Sequence, residues 1–154
     1  MKTRTSLLTL ALCFAAGTVC FAASPMMGTW KLNEAKSKFS VGSAKNKTVV
    51  YSSAFFKTKV TVDGTDAKGK PAHNEWTGNF DGKDYAVTGD PTSDMRAYTK
   101  VDDHTLSMTF KKGGKVVGTG RVVVSADGKS RTVTTNGTNA KGKKFKNVAV
   151  YDKQ

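Results

Sequence analysis

Along most of the chain, apolar and polar residues alternate with a period of two. Phe56, Thr58, Val60 and Val62 share one face, with Lys57, Lys59, Thr61 and Asp63 on the other. Leu106, Met108 and Phe110 alternate with Thr105, Ser107 and Thr109, and Val148 and Val150 alternate with Asn147, Ala149 and Tyr151. That period belongs to a strand with one packed and one wet face. Asp66-Ala67-Lys68-Gly69, Asp81-Gly82, Lys112-Gly113-Gly114, Asp127-Gly128 and Asn139-Ala140-Lys141-Gly142 punctuate the pattern, each placing glycine where a hairpin needs positive φ. The segments between them predict ten strands, near 28–33, 47–53, 56–63, 70–79, 83–88, 94–101, 104–111, 115–125, 129–136 and 143–151. Short, evenly spaced strands of this kind predict an all-β domain, an antiparallel up-and-down β-barrel. Its one helical possibility is a single turn from Asn33 to Lys38, capped by Asn33.

An internal repeat supports the meander. Residues 49–74 align with 122–147 without a gap, identical at 12 of 26 positions. The densest match sets Gly64-Thr65-Asp66-Ala67-Lys68-Gly69-Lys70 against Gly137-Thr138-Asn139-Ala140-Lys141-Gly142-Lys143. Such a repeat predicts one three-stranded unit used twice in the same register.

The N-terminus breaks the pattern. Lys2 and Arg4 precede an uncharged, mostly apolar run from Leu7 to Ala23, followed by Pro25. This reads as a signal helix, with cleavage after Ala22 leaving small residues, Cys20 and Ala22, at the −3 and −1 positions. An uncleaved anchor and lipidation at Cys20 are the alternatives. The domains expected are thus a signal peptide, 1–22, and one β-barrel domain, 23–154, in a periplasmic or secreted protein. Cys13 and Cys20 both leave with the signal, so the domain has no thiol and no disulfide. Removing residues 1–22 from the 154 leaves 132, enough for a single core. Lysine and arginine number 25 against 12 acids, and without Lys2 and Arg4 the domain keeps 23 against 12, a net +11. That balance raises the question of polyanionic partners, although no nucleic-acid motif is present.

Gly28-Thr29-Trp30-Lys31-Leu32 resembles the opening of the calycin superfamily, where lipocalins carry Gly-x-Trp. Fatty-acid-binding proteins are similar at both ends, and Tyr151-Asp152-Lys153 matches their closing strand. The wider run Gly28 to Phe39 also resembles a group of uncharacterised secreted bacterial proteins. The resemblance implies structural roles for Gly28, Trp30 and Tyr151, with Trp30 at the closed end of a barrel. Two departures stand out: Asn33 to Asn46 is too short for the family's helical lid, and Ala149 stands where the family has its ligand-holding arginine.

His73 and His104 lack partners at metal spacing, Asp63-Gly64-Thr65-Asp66 lacks the later glutamate of a calcium loop, and no nucleophile has a histidine signature. No metal, no cofactor and no enzyme activity is expected. The remaining candidates are Trp76, Arg96, Tyr98 and Arg121, as ligand-binding residues. The alternation allows Arg96 and Tyr98 to face outward or to line a cavity. Two functions follow. The first is an exported, monomeric binding protein holding a small amphipathic or anionic ligand in the barrel, oriented by Arg96 or Arg121. The second is a cell-envelope protein whose cationic surface meets anionic lipid, lipopolysaccharide or glycan with no internal ligand. A cavity of at least about 300 Å³ would favour the first.

Overall fold

The computed structural model describes residues 24–139 and 141–154, so the predicted signal lies outside the described residues. Ten strands run β1 Gly28–Lys38, β2 Lys45–Ala54, β3 Lys57–Thr65, β4 Pro71–Gly78, β5 Tyr85–Thr88, β6 Met95–Asp102, β7 Thr105–Lys112, β8 Lys115–Val124, β9 Ser130–Thr138 and β10 Lys144–Lys153. Each pairs antiparallel with the next, and β10 returns to β1, closing the barrel. In such a meander the turns alternate between two ends. The β2–β3, β4–β5, β6–β7 and β8–β9 turns lie beside the two chain termini, and the other five lie at the far end.

Asn33 to Lys38 is not helical. It continues β1 as a wide bulge, in which Asn33 pairs with Val150 and Lys38 with Val148, so Glu34 to Ser37 stand opposite Ala149 alone. The capping chemistry survives inside the bulge. Asn33 Oδ1 accepts the Lys36 N–H at 3.2 Å, while Ser37 Oγ donates to the Asn33 carbonyl and accepts the Val150 N–H. These bonds satisfy backbone groups that the bulge removes from the ladder.

The repeat is half right. Thr65 pairs with Pro71 and Thr58 with Gly78, and the equivalents Thr138 with Lys144 and Arg131 with Tyr151 pair identically. The two turns also match bond for bond. Asp66 Oδ1 accepts the N–H of Lys68 and Lys70, and Asn139 Oδ1 those of Lys141 and Lys143. Gly69 and Gly142, at φ 79° and 75°, close them as glycine bulges. The preceding hairpin breaks the rule. Val49 pairs with Val62, which would put Val122 opposite Thr135, yet Val122 pairs with Val133. Two residues join β2 to β3 and five join β8 to β9, and the register slips by two, which preserves the inward face. The repeated unit is one hairpin, not three strands.

Inside, side chains fill the barrel. Trp30, Val49, Tyr51, Val60, Val62, Trp76, Tyr98, Leu106, Met108, Val122, Val124 and Tyr151 form one buried cluster. On β10 the inward face belongs to Ala149 and Tyr151, while Val148 and Val150 are only part-buried. Phe56 leaves the core face predicted for it, because β3 begins at Lys57 and Phe56 sits in the turn. At the terminal end Met26 acts as a plug, 1% exposed, its carbonyl accepting the Trp30 indole N–H at 3.0 Å. Of the residues expected to be structural, Trp30 and Tyr151 are buried in the core and Gly28 is part-buried at the start of β1.

Candidate functional site

The predicted ligand residues do not converge. Arg96 and Tyr98 do face inward, but onto packed neighbours rather than a cavity. Trp76 stacks on Phe80 at 6.2 Å and meets Tyr98 edge-on at 4.7 Å, and its indole N–H donates to the Arg96 carbonyl at 2.9 Å. The rings leave no room at Gly78, where a Cβ would lie 2.5 to 2.6 Å from Tyr85 and Trp76.

Arg96 already has an anion. Its Nη2 reaches Asp90 Oδ2 at 3.2 Å, and the guanidinium lies over the Phe110 ring at 5.3 Å. Burial acts to raise the Asp90 pKa, but hydrogen bonds from Ser93 and Thr92 and the charge of Arg96 outweigh it, holding the carboxyl below its ordinary range. The contact ties the β5–β6 loop to the wall where β5, four residues long, makes its few pairs. Arg121 points the other way. It pairs with Ser107 and Thr134 on the outer face and is exposed.

The arginine that sits inside the closed end is Arg131, 2% exposed. Its guanidinium lies 4.8 Å from the Trp30 and Tyr151 ring centres and 4.9 Å from Tyr51. Three π faces replace water around a cation that has no carboxylate partner among the described residues. Burial pushes the Tyr151 hydroxyl up to about 12 and raises Tyr51 as well, although the Arg131 charge works against both shifts. The three rings thus hold this cation within the core of the closed end.

The space inside is small. A cavity of about 60 Å³ lies between Phe39, Asn46, Thr135, Asn147 and Tyr151. That is room for one or two waters, well short of a small-molecule pocket. A second space, about 420 Å³, is a shallow, widely open cleft at the far end, and the ladder explains it. Val117 bulges between the Phe110–Gly118 and Lys111–Val116 pairs, and β8 pairs with β9 no further than Gly118–Gly137. Beyond that point β8 follows β7 and β9 follows β10, so the two hairpins part. Val116, Val117 and Phe145 give the cleft apolar walls, Asn136 and Thr138 polar ones, and Lys144 stands at its side.

Charge marks the same place. Residues 104–151 hold ten lysines and arginines and a single acid, Asp127, which lies in the β8–β9 turn at the other end. Lys112 and Lys115 flank the cleft from one hairpin, and Lys141, Lys143 and Lys144 from the other, all exposed. Among the described residues no cluster of histidine, cysteine or acid side chains suits a metal ion.

This geometry defines a closed ten-stranded antiparallel barrel with a filled interior and a basic, apolar-walled cleft at its open rim. Neither a family model nor a curated protein matches the chain. Among solved structures the chain is similar to a redesigned β-barrel, mFAP1, bound to DFHBI, at 14% identity and a TM-score of 0.46, covering 84% of this chain and 95% of that one.

Proposed function

We propose that this chain is an exported, calycin-like binding protein that takes an anionic amphiphile at the far-end cleft and performs no catalysis. The observation that carries the reading is the pairing of an apolar-walled cleft with five exposed lysines, in the cleft-side stretches 109–118 and 136–146 that hold no acid. An acyl chain would lie against Val116, Val117 and Phe145, gaining about 25 cal/mol per Å² of apolar surface removed from water. A carboxylate, sulfate or phosphate headgroup would meet Lys144 and its neighbours, each contact being worth about 1 kcal/mol or less at an exposed site. Such terms sum to binding in the region of about 1–100 μM. The barrel interior is scaffold in this reading, and the arginines at 96 and 131 serve the fold.

The filled interior and the basic rim also favour the envelope reading, in which the same headgroup chemistry belongs to a lipid or lipopolysaccharide surface. Titration of a fluorescent fatty-acid probe into residues 23–154 tests the cleft. Binding should weaken about tenfold in K144E/F145S and stay unchanged in R121A. Unchanged binding in K144E/F145S would refute the cleft, and a surface partner would then have to be sought with lipopolysaccharide or heparin.

A further inference from the structure

The β2–β3 turn is built from two phenylalanines. Ala54 pairs with Lys57, leaving Phe55 and Phe56 as the whole turn, exposed at 102% and 99%. Phe55 has φ 55°, the one non-glycine residue in the left-handed region among those described. A bulky side chain is an outlier there, and a two-residue hairpin ordinarily puts glycine, asparagine or aspartate at such a position. Neither ring joins the core, whereas Phe39, Phe80 and Phe110 pack against it. The free protein therefore carries backbone strain and two wetted aromatic rings with no return in its own fold.

We propose that Phe55 and Phe56 form a wedge that inserts into the apolar layer of a lipid bilayer. The tip is convex and two residues wide, flanked by the exposed polar residues Ser52, Ser53 and Lys57. A protein partner would need a patch of about 800 Å² with a packed apolar centre, and the tip offers none. Lipid chains need no matching shape. Charge separates this site from the far-end cleft. The terminal end mixes Lys57, Lys83 and Lys129 with Asp102, Asp103 and Asp127, so anionic headgroups gain little there. Insertion is driven by the rings and is insensitive to salt, with each ring contributing about ten- to a hundredfold in partitioning.

The test is sedimentation of residues 23–154 with vesicles of pure phosphatidylcholine and of phosphatidylcholine mixed with phosphatidylglycerol, at low and high salt. Wild type should pellet with both, at both salts. F55G/F56S should lose at least about a hundredfold in partitioning while keeping the wild-type circular dichroism and an equal or higher melting temperature. K144E/F145S should pellet like wild type with pure phosphatidylcholine, so failure of the cleft reading is scored separately. The wedge is overturned if F55G/F56S still pellets, if wild type ignores phosphatidylcholine, or if it pellets only with phosphatidylglycerol and is released by salt.

Discussion

Asp90→Asn isolates one buried charge. The Arg96 and Asp90 side chains are 7% and 14% exposed and meet at 3.2 Å, so the amide would leave Arg96 charged, buried and without its anion. Breaking a buried pair from one side costs about 3–5 kcal/mol. Here Asn74 Oδ1, 3.5 Å from Nη2, and the Phe110 ring retain part of the stabilisation, reducing the expected loss to about 2–3 kcal/mol. For a domain of this size that is a fall in Tm of roughly 6–15 °C. Asp90→Asn/Arg96→Met should recover most of it, because removing both partners leaves no orphan charge. Protonation gives a second readout. The folded pKa of Asp90 is depressed, so its contribution is present above the ordinary aspartate value and lost as the pH falls through the folded one. Urea unfolding between neutral and acid pH should therefore show a shallower acid loss in Asp90→Asn. A single variant within about 0.5 kcal/mol of wild type would refute the claim that this pair is shielded from solvent.

Two further outcomes follow from close contacts. Gly78→Ala places a methyl group within 2.6 Å of two rings, so chemical denaturation should show a loss of about 1–3 kcal/mol, and near-ultraviolet circular dichroism should show a disturbed Trp76 signal. His73 Nδ1 lies 2.7 Å from Asp63 Oδ1, and that hydrogen bond raises its pKa above the ordinary 6.5, against burial and with help from the Asp63 and Glu75 charges. Its stabilisation is present below the ordinary histidine value and fades as the pH rises through the raised folded one, so imidazole NMR should show Asp63→Asn lowering the His73 midpoint.

The strand plan was legible because turn chemistry is local. Asp66 and Asn139 sit at the head of identical turns, and the ladders around them follow from those turns. The site was less so, but Arg131 lay within reach. The repeat aligns Val60 with Val133 and Val49 with Val122, and two-residue parity from inward valines turns Arg131 inside and Arg121 outside. The helical expectation at Asn33 failed for a different reason. Its cap bond forms, but pairing with β10 on both sides outweighs one turn's worth of helix. The cleft rests on where two hairpins separate, a tertiary property that alternation does not encode, since Val117 fits the pattern of its strand until the bulge displaces it.

The uneven placement of charge gives the barrel a permanent electric dipole along its length. Seven lysines, Lys68, Lys70, Lys112, Lys115, Lys141, Lys143 and Lys144, stand in or beside the far-end turns against Asp66, Asp90 and Asp94, while at the opposite pole Asp81, Asp102, Asp103 and Asp127 offset Lys57, Lys83 and Lys129. A polyanion approaching from any direction therefore exerts a torque before it makes contact, turning the lysine pole toward itself. Orientation usually limits the encounter rate of two large molecules, and a field of this shape removes part of that limit at low ionic strength. Added salt shortens the reach of the field to about 8 Å at physiological strength, less than the length of one β-strand, and the advance alignment is lost.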